Sequence, residues 1–130
     1  CTGFYNIVHA ALPEMRERGD GLVFSVSSIA GKRAYPLAGM AYAASKFGVS
    51  GIASAINAEE ANSGVRITSI YPGEVNTPIL DERPVPVPDE KKARMVHPED
   101  IASLIVAIAQ LPRHVVVPDL VIKPTYQEFI

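Results

Sequence analysis

Two short apolar runs constrain the fold of this chain more than any other feature of its 130 residues. The runs are GLVFSVSS at 21–28 and GVRITSIYPG at 64–73, and each is bounded by turns that contain glycine. Runs of this length and composition are typical of strands that are buried on both faces of a parallel sheet. A third run, HVVVPDLVI at 114–122, predicts a last strand before a short tail.

Helical patterns alternate with these strands. The first predicted helix, residues 4–18, has an apolar face with the spacing of a helix, formed by Ile7, Val8, Ala11, Leu12 and Met15. Pro13 is expected to bend or open this helix, and Gly19 to end it. Residues 40–61 and 97–111 form two further predicted helices. The alternation predicts an α/β fold with a parallel sheet, and a sheet this thin predicts that further strands belong to the same domain.

Charge and composition exclude several classes of partner. The net charge of -2 and the pI of about 5.9 show no basic excess, so we expect no nucleic-acid partner. The longest apolar stretch, 101–111, is shorter than the ~20 residues that span a bilayer, so we expect no membrane partner. The single cysteine, Cys1, excludes an internal disulfide and has no zinc-ligand spacing to histidine, which predicts no metal site and fits a cytoplasmic location.

The segment YAASK at 42–46 places a tyrosine and a lysine in a run of small residues. Tyr42 and Lys46 are four positions apart, so on a helix they lie on one face, about one turn from each other. A cationic ammonium near a phenol favours the phenolate, and such a tyrosine can exchange a proton with a carbonyl or alcohol near neutral pH. The spacing alone is also a common chance pairing of a half-buried tyrosine with a solvated lysine.

Two predicted strand ends supply further polar groups. Ser28 ends the first strand, and the second strand ends in YPGEVNTP, where Gly73 permits a close backbone approach and Thr77 can donate to a phosphate or amide oxygen. In open α/β sheets, ligands bind outside the carboxyl ends of the strands. The serine, tyrosine, lysine and Pro-Gly turn are therefore expected to converge on one edge of the sheet.

The ordered motifs VSSIAG, YAASK and YPGEVNT resemble the C-terminal half of the short-chain dehydrogenase/reductase family, and the resemblance covers nearly the whole chain. It implies a Rossmann-type doubly wound parallel sheet. It also implies hydride transfer between NAD(P) and a small-molecule carbonyl or secondary alcohol. Homodimers or homotetramers would be built on the first two helices, where Ile52 and Ile56 could pack against a symmetry mate or within the same subunit.

The resemblance assigns roles by position. Tyr42 would be the general acid/base, Lys46 would hold the nicotinamide ribose hydroxyls and favour the phenolate, and Ser28, in preference to Ser27, would bind the substrate oxygen. The Pro-Gly turn would lie along the nicotinamide, with the Val75 backbone near its carboxamide. The cofactor-binding positions are then Tyr42, Lys46, Pro72, Gly73, Val75 and Thr77.

The chain also departs from the family pattern. It contains no glycine-rich TGxxxGxG turn, so residues 1–130 are expected to be the C-terminal portion of one Rossmann domain and to catalyse little alone. The ending VVVPDLVIKPT resembles the branch of NADP-dependent hydroxy-acid or serine dehydrogenase-like enzymes, which favours NADP. One alternative is a truncated, inactive paralogue that packs with a partner. Another is a sugar-nucleotide epimerase of the extended branch, which the PGEVNTP turn disfavours.

The segment 76–97 is rich in proline and charge and predicts a long loop with at most a short helical turn. Long loops of this kind are either functional or disordered. We interpret it as a substrate lid, with Leu80 and Arg83 as candidates near the substrate, although a solvated loop also fits. Glu74 could face the substrate or solvent, and Tyr35 could line the pocket or only pack beside it.

Overall fold

The computed structural model of the chain describes residues 1–34 and 36–128, apart from the side chain of Leu37. Tyr35, the candidate pocket residue, lies outside the described residues. The helices are α1 (Thr2–Arg18), α2 (Gly39–Glu59), α3 (Asp89–Lys92) and α4 (Pro98–Ala109). The strands are β1 (Gly21–Val26), β2 (Val65–Pro72) and β3 (Asp119–Ile122). Short 3-10 turns cover Ile29–Gly31, Pro36–Ala38 and Pro78–Glu82.

The strands form a parallel sheet in the order β1-β2-β3. Val26 at the end of β1 lies opposite Ile70, and Pro72 at the end of β2 lies opposite Ile122 at the end of β3. The carboxyl ends of all three strands therefore meet at one edge of the sheet. The predicted α/β fold with a Rossmann-type parallel sheet and flanking helices is confirmed.

The two long strands differ in burial. Along β2 every residue is buried except Arg66, so the predicted burial on both faces is confirmed there. For β1 this prediction is wrong, because Leu22 and Phe24 are half-buried and Val26 is exposed. Among the described strands β1 lies at the edge of the sheet, and it ends two residues before Ser28, which caps the following 3-10 turn.

The core lies between β2 and the helices α1 and α2. It is formed by Val8, Leu12, Ala53, Ile56, Val65 and Ile67. Because Ile56 is buried in this core and Ile52 packs against it, both residues are used within the chain rather than left free for a symmetry mate. Helix α1 continues past Pro13 to Arg18, and Gly19 ends it in the left-handed conformation (φ 67°), as predicted.

Two sequence predictions for residues 76–122 differ from the structure. Only Asp119–Ile122 pairs as β3, whereas a strand over 114–122 was predicted. Pro118 has no N–H to donate to a ladder, although its carbonyl still accepts from the Ser69 N–H at 2.9 Å. The segment 76–97 contains two short helical segments, Pro78–Glu82 and α3, instead of one short turn. Val75 and Val96 form a parallel bridge that brings the two ends of this segment together.

In the first turn of helix α4 the Asp100 carboxylate accepts a hydrogen bond from the His97 N–H at 2.8 Å, and the Asp100 N–H donates to the His97 carbonyl oxygen at 3.0 Å. Among the described residues, no helix combines the length and apolar character that a bilayer crossing requires. Within the same part of the chain, no three His, Cys, Asp or Glu side chains cluster as metal ligands.

A buried carboxylate joins α1 to the end of α2. The Glu60 side chain is only 4% exposed and accepts hydrogen bonds from the Arg16 guanidinium, whose Nε lies 2.8 Å from Oε1. These bonds, with help from Ser63, lower the pKa of Glu60 below its usual value of 4.5 against the opposing effect of burial. The lowered pKa means that the folded state favours the ionised carboxylate.

We therefore expect Glu60→Gln to destabilise the protein in a pH-dependent way. The stabilisation by the carboxylate is fully present above about pH 4.5 and is lost as pH falls through its lowered folded-state pKa. The variant should be least stable relative to the parent at neutral pH and should approach it in acid. Urea unfolding from about pH 3 to pH 7 measures this, with Glu17→Gln on the exposed face of α1 as the matched control. A stability difference that does not change with pH would contradict the account.

Candidate active site

Tyr42 and Lys46 lie one turn apart near the start of α2. The Lys46 Nζ is 5.5 Å from the centroid of the Tyr42 ring and donates a hydrogen bond to the Ser27 carbonyl oxygen at 3.3 Å. That bond fixes the ammonium beside the end of β1. The Tyr42 side chain is exposed (45%), so its hydroxyl can be reached by a small molecule.

Ser28 lies where the chain leaves β1. Its Oγ accepts a hydrogen bond from the Ala30 N–H at 3.1 Å and so caps the 3-10 turn Ile29–Gly31. A hydroxyl has one hydrogen to donate and two lone pairs. The cap occupies a lone pair and orients the side chain, which leaves the Ser28 O–H available to donate to another oxygen. The neighbouring Ser27 is buried and directs its Oγ towards the α2 backbone, 3.5 Å from the Lys46 carbonyl oxygen.

The 3-10 turn packs directly against α2. Ser50 Oγ lies within hydrogen-bond distance of the carbonyl oxygens of Gly31, at 3.1 Å, and Lys46, at 3.0 Å. A Cβ on Gly31 would lie 2.8 Å from both the Ser27 and Ser50 hydroxyls and 2.9 Å from the Lys46 carbonyl. The absence of a side chain at Gly31 therefore lets the turn that carries Ser28 approach the helix that carries Tyr42 and Lys46.

Gly31→Ala should disturb the site and the fold together. The methyl group forces the turn away from α2 and moves Ser28 relative to Tyr42, and a shift of about 1 Å at such a site can cost ~100-fold in activity. The overpacking itself should cost ~1–3 kcal/mol. Steady-state kinetics and urea unfolding of the full-length protein measure the two effects.

Gly51→Ala is the matched control for that substitution. Gly51 lies inside α2 and has open space around its Cα, so alanine there should stabilise the helix by up to ~1 kcal/mol. If Gly31→Ala and Gly51→Ala changed activity and stability alike, the close approach of the turn to α2 at Gly31 would not explain the effect.

Lys32 also joins the 3-10 turn Ile29–Gly31 to the sheet. Lys32, directly after the turn, forms an ion pair with Asp119 at the start of β3 and lies 4.6 Å from the centroid of the Tyr71 ring. The Tyr71 hydroxyl donates to the other Asp119 oxygen at 3.1 Å. The hydrogen bond to Asp119 raises the pKa of Lys32, which keeps this cation charged.

The Pro-Gly turn, residues 72–75, begins at the last residue of β2, at the same edge of the sheet. The bridge to Val96 uses the Glu74 carbonyl, which accepts at 3.1 Å, and the Asn76 N–H, which donates at 2.8 Å. In extended backbone, successive residues point their N–H and C=O groups to opposite sides. The N–H and C=O of Val75 therefore point away from Val96, and together they form an adjacent donor and acceptor.

Gly73 has a close neighbour within the chain. A Cβ there would clash with the Gln127 side chain and would lie 2.9 Å from the Lys123 Cβ. In this structure the atoms that a Cβ at Gly73 would meet belong to side chains of the tail, residues 123–128, and the close approach of a ligand at Gly73 stays a prediction. Pro72 is buried beside Ile122, and the Thr77 hydroxyl does not cap the 3-10 turn that follows it.

Glu74 was predicted to face either the substrate or solvent. In the structure its side chain belongs instead to a hydrogen-bonded network within the chain. Its side chain is 19% exposed and contacts Tyr126, Lys91 and Arg83. Burial opposes its charge, but hydrogen bonds from Tyr126 and Lys91, with the positive charges of Lys91 and Arg83, lower the pKa of Glu74 overall. Burial and the bond to Glu74 raise the pKa of Tyr126 to about 12. Leu80, which belongs to the 76–97 segment, is buried.

The structure thus groups the predicted site residues into two sets at one edge of the sheet. Ser28, Tyr42 and Lys46 form the first set around the end of β1 and the start of α2. Pro72, Gly73, Val75 and Thr77 form the second set, at the end of β2 and directly after it. Their functional roles remain predictions. Sequence reasoning missed Gly31 and Ser50, which the IAG motif and the position of Ser50 one turn after Lys46 could have indicated.

Comparison with protein families agrees with this geometry. Residues 1–85 match the family of short chain dehydrogenases. The chain belongs to the short-chain dehydrogenase family, as its three motifs predicted.

Known relatives extend the comparison. The chain is 34% identical over 129 residues to the glycine betaine reductase ATRR of Emericella nidulans, across 95% of this chain and 10% of that protein. It is 32% identical over 123 residues to a sepiapterin reductase of Chlorobaculum tepidum, across 95% of this chain and 48% of that protein. The chain therefore spans less than half the length of either relative.

A solved structure of the closed form of serine dehydrogenase complexed with NADP+ superposes with a TM-score of 0.82 at 26% identity. The match covers 98% of this chain and 53% of that one. Nearly all of this chain thus has the fold of about half of that dehydrogenase.

Proposed function

We propose that this chain is the C-terminal part of an NAD(P)-dependent oxidoreductase that interconverts a carbonyl compound and a secondary alcohol. The observation that carries the proposal is the Tyr42–Lys46 pair, which lies on α2 with Lys46 tied to the backbone at the end of β1. Membership of the short-chain dehydrogenase family supports an oxidoreductase. The hydride transfer, the cofactor and the site roles belong to the proposal.

Each residue of the first set has a role in carbonyl reduction. The Tyr42 hydroxyl donates the proton that the substrate oxygen needs as the carbonyl becomes an alcohol. The Lys46 ammonium stabilises the phenolate that remains, because opposite charges at this separation attract. The free O–H of Ser28 donates to the same substrate oxygen and stabilises the negative charge that develops on it.

The second set has groups that fit a nicotinamide cofactor. A carboxamide has one acceptor oxygen and an NH₂ donor, and the Val75 N–H and C=O offer the complementary pair. Thr77 would bind the carboxamide or the pyrophosphate, Pro72 and Gly73 would lie along the ring, and Lys46 would bind the ribose hydroxyls. When bound, the nicotinamide supplies or accepts the hydride. The NADP+ in the serine dehydrogenase structure supports a nicotinamide cofactor, and the preference for NADP over NAD is part of the proposal.

We extend the proposal from this chain to the whole protein of which it would be a part. The chain would complete a single Rossmann domain whose first part carries the glycine-rich nucleotide turn, consistent with its match to 53% of the serine dehydrogenase chain. The segment 76–97 would act as the substrate lid. Exposed apolar side chains on α1 and α2, such as Ile7 and Phe47, support a homodimer or homotetramer built on these helices. We place the enzyme in the cytoplasm.

The test uses the natural full-length protein. We would measure its intact mass and then the oxidation of NADPH and NADH with a panel of aldehydes and ketones. Oxidation that depends on the carbonyl and is faster with NADPH is the expected result. A natural protein of this length that binds neither cofactor would overturn the proposal and favour the inactive paralogue.

A further inference from the structure

Glu74 lies where the Pro-Gly turn, the 76–97 segment and the tail meet. We propose that Glu74 is a positioning residue that ties the segment and the tail to the backbone at Val75, and so sets the shape of the cofactor-binding turn. The inference rests on the proposed function, because that function gives the Val75 backbone its role.

The two carboxylate oxygens of Glu74 are directed to different parts of the chain. Oε2 accepts a hydrogen bond from the Tyr126 hydroxyl at 2.7 Å, which links the turn to the tail. Oε1 accepts from the Lys91 Nζ at 3.1 Å and lies 3.9 Å from the Arg83 Nη1, which links the turn to the 76–97 segment. A single side chain therefore bridges two elements that are far apart in sequence.

The backbone of Glu74 also contacts both the tail and the 76–97 segment. Its N–H donates to the Gln127 Oε1 at 2.8 Å, and its carbonyl oxygen accepts from the Val96 N–H at 3.1 Å. Gly73 must lack a side chain for Gln127 to reach this position. All of these contacts lie next to Val75, so the direction of the Val75 N–H and C=O depends on them.

The contacts also show why the charge matters. Replacing the carboxylate by an amide leaves Lys91 and Arg83 without their anion, and an amide cannot accept at both ends. An open surface groove of about 390 Å³ lies beside the network and is lined by Pro88, Glu90, Lys91, Arg94 and Tyr126. With the carboxylate gone, Lys91 on α3 and Tyr126 in the tail lose their shared partner, and the two elements can separate beside this groove.

Glu74→Gln in the full-length protein tests the proposal, with Glu82→Gln, an exposed carboxylate in the same segment, as the matched control. We expect kcat/KM to fall ~10- to 100-fold through misplacement of the cofactor, mainly as a higher KM for NAD(P)H. Amide hydrogen exchange should become faster in residues 73–76, 83–96 and 123–128 and stay unchanged in α2. Tyr126→Phe, which removes one hydroxyl and no charge, should shift the same readouts less.

Three outcomes would overturn the proposal. One is unchanged exchange in all three segments. Another is faster exchange with an unchanged KM for the cofactor. The third is a uniform rise in exchange with loss of global stability, which would mean a merely structural role. If the parent protein itself neither binds nor oxidises NAD(P)H, the proposed function fails, and exchange at residues 73–76 alone decides whether Glu74 fixes the turn.

Discussion

Tyr42→Phe in the full-length protein is expected to lower kcat/KM for carbonyl reduction by about 10²- to 10⁴-fold, the usual contribution of a general acid. The substitution removes the hydroxyl that donates the proton and keeps the aromatic ring. Because the ring remains near Lys46 and about half of the side chain is exposed, the fold should change little. Loss of the hydroxyl as a cofactor contact should weaken NADPH binding far less than it lowers kcat/KM. Steady-state kinetics, together with cofactor titration by fluorescence, separate the two effects.

Tyr5→Phe is the control for this variant. Tyr5 is an exposed tyrosine on α1 that stacks on His9 and has no part in the proposed site. Like Tyr42→Phe, the Tyr5→Phe variant removes one tyrosine hydroxyl. It should leave kcat/KM within ~2-fold of the parent protein, the usual range for surface changes. If Tyr42→Phe were as active as Tyr5→Phe, another group would have to supply the proton.

Ile67→Ala is expected to have the largest effect on stability, lowering the free energy of unfolding by about 2–5 kcal/mol. Ile67 is 0% exposed and lies in the core between β2 and the helices α1 and α2. Truncation leaves a cavity that the strand cannot fill, because the Asn57 side chain holds the Ile67 backbone with two hydrogen bonds of 2.7 and 2.8 Å. Urea unfolding of the full-length protein measures the change.

Ile79→Ala makes the same chemical change at a side chain that is 71% exposed. It should alter the free energy of unfolding by no more than ~0.5 kcal/mol, as surface substitutions usually do. Equal losses for the two variants would mean that the core does not lie where the structure places it.

The parts of the fold and site that the sequence predicted depend on short-range patterns. The apolar run at 64–73 predicted β2, and its burial followed from its composition. Tyr42 and Lys46 could be placed on one helix face because their separation matches one helical turn. Ser28 and Gly73 could be placed at one edge because parallel strands have their carboxyl ends on the same side.

The parts that the sequence did not predict depend on contacts between distant residues. Nothing near Tyr126 or Gln127 in the sequence indicates that they bind Glu74, which lies about fifty positions earlier. The limits of β3 were wrong because an apolar run does not show where Pro118 interrupts the ladder. Among the described strands β1 lies at the edge of the sheet, which explains why it is half-exposed and which the composition of one strand does not show.

Transfer of deuterium to a carbonyl substrate from NADPH that carries deuterium at both C4 positions of the nicotinamide tests the central proposal most directly. The full-length protein would be incubated with the labelled cofactor and a ketone, and the alcohol product analysed by mass spectrometry and NMR. We predict one deuterium on the carbinol carbon in the parent protein, and a strongly reduced yield of the same labelled alcohol with Tyr42→Phe. An alcohol without deuterium at that carbon, or no alcohol from any carbonyl tested, would contradict a hydride-transferring oxidoreductase.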